Sequence, residues 1–141
     1  MARARIAKLT EPRIQDSAPS TPTAARRAGT YWEHNGSVLR LEASGSDRKF
    51  YYYEPGERIR QQGATPGTLL FQGRRSGNKY SGTAYIFRSG CGKFAYSVSG
   101  DVSNGHTAVV VRGRAPTIGS NCKVAGYRAD TLRFDYKYKV D

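Results

Sequence analysis

Two histidines and two cysteines have the strongest claim to chemistry in this chain, and their spacing limits what they could do. His34 and His106 each lie beside an Asn-Gly step, Asn35-Gly36 and Asn104-Gly105. An imidazole exposed in a turn becomes a general base only when a partner positions it, so both are expected to be idle polar groups. Cys91 or Cys122 with either histidine would form a nucleophilic dyad only if the fold brought them together. The four side chains could also form a Cys2His2 zinc set, but structural zinc sites show close pairs such as Cys-x2-Cys. Here the four positions are singly scattered, and neither zinc nor any other cofactor is expected.

The remaining enzymatic patterns have no more support. The acids mostly flank turns or alternate with basic residues, which does not suit paired-carboxylate hydrolysis. Gly90-Cys91-Gly92 and the stretch Gly63 to Gly67 lack the strand-to-helix context of a phosphate loop. The expectation is a protein that is not an enzyme. Cys91 and Cys122 have a structural use instead, because both follow Gly/Ser/Asn-rich turns and could meet at one end of a β-structure. A bridge would close a loop of about 30 residues, worth roughly 3 to 4 kcal/mol in the chain-entropy model. The residues alone leave paired and free thiols equally open, since the outcome depends on compartment.

Charge points to partners. The chain has 23 Lys and Arg against 11 Asp and Glu, a net charge of +12. Such an excess attracts an acidic protein or a polyanion, and it is spread along the chain. Candidate contacts are Tyr51 and Tyr53, on one face of the aromatic run Phe50 to Tyr53, Arg58 and Arg60 in the polar connection Pro55 to Pro66, and Lys93. The alternative is a single-stranded nucleic-acid (RNA or DNA) binder, because the stretches Lys93 to Val98 and Arg133 to Lys139 mix basic and aromatic residues. On a strand, however, those two types fall on opposite faces, which suits a core face and a solvated face better than a stacking platform. A small ligand held in a barrel mouth is a third possibility.

The elements that must position these residues begin near Gly29. Residues 1–29 carry Pro12, Pro19 and Pro22 and few large apolar side chains. They cannot bury enough surface to offset ordering, so a disordered basic arm is expected there. All the aromatics and all glycines but Gly29 lie beyond residue 29, and residues 30–141 read as a single all-β domain. The strand segments are Thr30 to His34, Ser37 to Ala43, Lys49 to Glu54, Thr68 to Arg74, Tyr80 to Arg88, Lys93 to Ser99, Thr107 to Arg114, Lys123 to Arg128 and Asp130 to Val140. The last alternates most cleanly, with Leu132, Phe134, Tyr136 and Tyr138 on one face. About seven to nine short strands with regularly spaced turns predict an antiparallel barrel or sandwich.

No run approaches the roughly 18 apolar residues of a spanning helix, so no membrane span is expected. The chain also lacks the apolar core of a secretory signal. A cytoplasmic location is expected unless Cys91 and Cys122 are bridged or a signal was removed ahead of Met1.

Two resemblances add to this reading. Tyr31 to Ser37, Pro66 to Gly73, Ser81 to Ala84 and Cys91-Gly92 together resemble an uncharacterised family of small alphaproteobacterial β-domains. That resemblance covers Gly29 to about Tyr136 and implies a β-domain but no activity or site residue. Gly29 to Trp32, followed by Asn35, Gly36 and Ser37, is similar to the first strand of avidin-type biotin-binding barrels. The similarity covers one strand, and Trp32 is the sole Trp where such a biotin site has several. It implies no biotin binding.

Overall fold

In the computed structural model, which describes residues 27–141, the first turn is the one the sequence marks most clearly. Asn35 and Gly36 take φ values of 48° and 81°, the left-handed backbone that a two-residue hairpin turn demands and that Asn and Gly tolerate best. They join β1 (Gly29–His34) to β2 (Ser37–Ser44). The chain continues through β3 (Asp47–Glu54), a single helical turn α1 (Glu57–Gln61), β4 (Leu69–Ser76), β5 (Lys79–Arg88) and β6 (Gly92–Val102). A 3-10 turn at Asn104–His106 leads into β7 (Ala108–Ile118), and β8 (Val124–Val140) closes the series. The strands form a closed antiparallel barrel of eight, each paired with its sequence neighbour.

The architecture is therefore the barrel, not the sandwich, and the strand count falls inside the expected range. Lys123 to Arg128 and Asp130 to Val140 are one strand, because Ala129 stays in the ladder opposite Arg114. The expected disordered arm falls on residues 1–26, outside the described residues, except for its last few positions. Two compact units divide the chain, one of them Gly29–Lys139, which holds the barrel. The other, Met1–Ala28 with Val140–Asp141, is described only at residues 27, 28, 140 and 141. Among the described residues no helix is long and apolar enough to cross a membrane.

Alternation puts Trp32, Leu39, Leu41, Phe50, Tyr52, Phe71, Ala84, Tyr96, Val98, Val109, Val111, Leu132 and Phe134 inside. Cross-strand register keeps them level: Trp32 faces Leu39, Leu41 faces Phe50, Phe50 faces Phe71 and Val109 faces Phe134. Phe50 on β3 stacks on Phe134 of β8 at 4.0 Å, although these strands are not neighbours. The stack therefore crosses the lumen and divides the interior. On one side lies the end formed by the Asn35-Gly36 turn, the long connection from Glu54 to Leu69 and the turns bearing Cys91 and Cys122. On the other are the short turns at Ser44 to Asp47 and Ser76 to Lys79 and the link from Val102 to Ala108.

Candidate functional site

At the loop end, polar groups intrude into the apolar interior. Beyond the Phe50–Phe134 stack, β3 contributes Tyr52, β6 contributes Tyr96 and β8 contributes Asp130. Each follows the inward alternation of its strand: Phe50 and Tyr52, Val98 and Tyr96, Phe134, Leu132 and Asp130. Tyr96 donates its hydroxyl hydrogen to Asp130 Oδ2 at 2.7 Å. Between their strands runs β7, whose Gly113 stands opposite both Val98 and Asp130. A Cβ on Gly113 would lie 2.1 Å from the Ser97 carbonyl oxygen, so only glycine permits the β6 backbone to come this close. Arg128 Nη1 sits 3.5 Å from the other oxygen of Asp130.

Tyr52 is 4% exposed, and its ring meets Phe87 edge-on at 6.2 Å. Among the described residues its hydroxyl has no hydrogen-bond partner. A buried hydroxyl left without a partner costs about 1 to 3 kcal/mol, which a bound acceptor would recover. Burial pushes the Tyr52 phenol well above the usual tyrosine value. Burial does the same to Tyr96, reinforced by its hydrogen bond to Asp130, by that carboxylate's charge and by Tyr52. Both phenols are thus held as neutral donors near one another and near a carboxylate acceptor.

His34 supports this end from β1. Its ring stacks on Phe134 at 4.8 Å, and Nδ1 lies 2.9 Å from the Arg133 carbonyl oxygen. A carbonyl can only accept, so Nδ1 carries the proton and Nε2 accepts from Asn35 Nδ2 at 3.4 Å. Burial lowers the His34 pKa, partly offset by that backbone bond and by the charges of Asp130 and Glu33. The expectation of an idle, turn-exposed histidine is therefore corrected at this position. His34 shares the inward parity of Trp32, and the turn begins only after it.

Two features enclose the site. The connection after β3 folds over this end through Ile59 and Ala64, which pack on the core. It is tied down by the Gly56 N–H bond to Ser37 Oγ at 2.8 Å and the Ser89 N–H bond to Gln62 Oε1 at 2.9 Å. The wall itself parts between β6 and β7. Their register runs from Val102 opposite Val109 to Val98 opposite Gly113 and stops there. From that point toward the loop end β6 pairs with β5 and β7 with β8, and Pro116, which has no N–H to offer a second ladder, lies in the part of β7 that does not pair with β6. The slot is bridged at its outer edge by a disulfide between Cys91 and Cys122, with a Cα separation of 5.3 Å. Arg88 Nη1 donates to the Ile118 carbonyl oxygen beside it. The bridge takes both thiols, so neither is available to a histidine dyad.

The residues singled out as ligand contacts do not converge. Tyr51 lies under Arg40, whose guanidinium carbon is 5.8 Å from the ring centroid, and Tyr53 meets Tyr31 edge-on at 4.9 Å. These contacts match a surface-covering role. Lys93 lies over Tyr85 at 4.6 Å on β6, away from β3. Arg58 and Arg60 are exposed on α1, a helical turn too short to register in the hydropathy pattern. The residues that do converge, Tyr52, Tyr96 and Asp130, were not among them. The available signal was Asp130, a carboxylate in phase with the inward-facing Leu132 and Phe134.

No family model and no curated protein matches the chain. Among solved structures it is similar to a rhizavidin–biotin complex, with a TM-score of 0.51 and 15% identity over 82% of this chain and 96% of that one. At that identity the likeness is one of fold. The first-strand similarity at Gly29 to Ser37 is to barrels of the same kind.

Proposed function

We propose that this barrel is a binding protein for a small organic ligand, held at the loop end by Tyr52, Tyr96 and Asp130, and not an enzyme. The observation that carries this reading is the buried Tyr52 hydroxyl, without a partner among the described residues, beside a second phenol already committed to a carboxylate. Such a set offers the Tyr52 O–H donor to a carbonyl and a carboxylate acceptor to an N–H, which together suit an amide or urea group. The apolar side chains Ile59, Ile86 and Phe87 around it suit a ligand whose remainder is apolar. The rhizavidin structure, a barrel of similar fold in complex with biotin, supports the reading at the level of architecture. Biotin is a suitable probe because it presents a cyclic urea on an aliphatic chain. We infer an oxidising location, where the Cys91–Cys122 bridge would persist.

Native mass spectrometry after incubation with biotin, with imidazolidin-2-one and with a metabolite extract tests the proposal. A one-to-one small-molecule adduct is expected. Its dissociation constant should rise about tenfold in Tyr52→Phe, the loss of about one hydrogen bond, and further in Asp130→Asn. Absence of any adduct, or an adduct that both variants retain at equal affinity, would overturn it.

A further inference from the structure

The opposite end of the barrel holds a different set of polar groups. Arg48 on β3 stands opposite Gly73 of β4, and two residues further along β4 Arg75 stands opposite Tyr80 of β5. All three side-chain positions continue the inward faces of their strands, after Phe50, after Phe71 and Gly73, and before Ala84. Tyr80 is buried, and both arginines are half-buried. The contrast with their neighbours is informative. Arg74 and Lys79 are exposed and meet carboxylates, Asp47 at 3.6 Å and Asp101 at 2.8 Å. Among the described residues, Arg48 and Arg75 have no carboxylate within ion-pair distance.

The two are held by backbone carbonyls instead. Arg48 Nη1 donates to the Gly45 and Asp47 oxygens, each at 2.8 Å, and Arg75 Nε donates to Gly77 O at 2.8 Å. Arg75 Nη2 also lies 3.5 Å from His106 Nε2. A guanidinium has five N–H donors in a fixed fork, so both arginines retain donors that these bonds do not use. The charges of both reach the same phenol: burial pushes the Tyr80 pKa up, while Arg48, through its charge and a hydrogen bond, and Arg75 pull it back. Two partly desolvated cations at one end of the barrel, with no carboxylate partner among the described residues, oppose folding, and an anion held by both would remove that cost. Positive charge spread over the whole molecule would steer it there.

We propose that Arg48 and Arg75, with the Tyr80 hydroxyl, form a phosphate-binding site at the turn end of the barrel. A phosphate has three non-bridging oxygens to set against two forks and a hydroxyl, whereas one carboxylate is already matched by a single fork. The phosphate could be free or the terminal group of an organic phosphate, since the recognising chemistry is shared.

The test is calorimetric titration of the intact protein with inorganic phosphate and with glycerol 3-phosphate, at ionic strength fixed with chloride. Saturable one-to-one binding of at least one probe is expected, and the tighter probe identifies the source. Arg75→Gln and Arg48→Gln should each weaken binding tenfold or more. Arg75→Lys, which keeps the charge and loses the fork, should give an intermediate loss and covers the case in which the glutamine variants fail to fold. Arg74→Gln and the double variant Arg58→Gln/Arg60→Gln should bind as wild type. Binding that survives Arg75→Gln unchanged, a loss equal in Arg74→Gln, or no saturable binding of either probe would overturn the proposal.

Discussion

The two ends of this barrel are built from the same strands and solve opposite problems. At the turn end, short connections leave the backbone carbonyls of Gly45, Asp47 and Gly77 free to hold two half-buried arginines. At the loop end, a long connection, a parted wall and a disulfide surround two phenols and one carboxylate with apolar side chains. Connection length sets the difference. A two-residue turn can offer little besides its own backbone, whereas a longer segment brings side chains such as Ile59 and Ala64 back over the interior. The stack of Phe50 on Phe134 separates the two, so that each end can carry its own recognition chemistry.

The strongest way to break that separation is to remove the divider. Phe50→Ala should cost about 3 to 5 kcal/mol, as for other large core truncations, measured by urea denaturation. It should also couple the ends, so that phosphate at one alters small-ligand affinity at the other. Independent binding in that variant would mean that the stack is packing alone.

A smaller effect distinguishes how the ends are fastened. Cys91→Ser/Cys122→Ser should lose about 3 to 4 kcal/mol, from reopening a loop with a sequence separation of 31. Amide exchange should rise over Gly92 to Ser97 and Arg114 to Ile118, where β6 and β7 do not pair, and stay slow from Val98 to Val102 and Val109 to Gly113, where they do. Uniform acceleration along both strands would show that the bridge does not staple one end in particular.

The mildest test uses alkaline pH. Burial raises the pKa of Tyr52 and Tyr96 at the loop end and of Tyr80 at the turn end, but two arginines and a hydrogen bond oppose the rise at Tyr80, whereas at Tyr96 Arg128 opposes it and Asp130 adds to it. The unfolded chain loses phenolic protons near pH 10 while the folded chain keeps them. It then binds fewer protons than the folded chain, and stability falls as pH rises past about 10. Tyr96→Phe should flatten that fall more than Tyr80→Phe; the reverse order would contradict the electrostatic contrast between the ends.

Much of the scaffold could be read locally. Asn35-Gly36 marked the first hairpin because few other residues accept its backbone, and Leu132 with Phe134 declared the inner face of β8 by strict alternation. The site was harder. Phe50 and Tyr52 could be assigned to a core face, but nothing local said that the Tyr52 hydroxyl would find no partner. His34 was expected to be exposed because an Asn-Gly turn follows it, yet strand parity carries it inward onto Phe134. The helical turn Glu57 to Gln61 escaped because five residues carry no period, and the break expected between Arg128 and Asp130 vanished because Ala129 pairs across to Arg114.

What the sequence determined by itself follows from short-range physics: β-propensity, alternation, turn conformation, net charge and the absence of close metal-ligand pairs. These suffice to specify an antiparallel all-β domain. What only the tertiary structure decided depends on residues far apart in the chain: closure into a barrel, the meeting of Cys91 with Cys122 and of Tyr96 with Asp130, and the placing of Arg48 and Arg75 at one end near Tyr80. Each is a matter of register and strand order, and a slip of one residue in either strand would have turned these side chains to the opposite face.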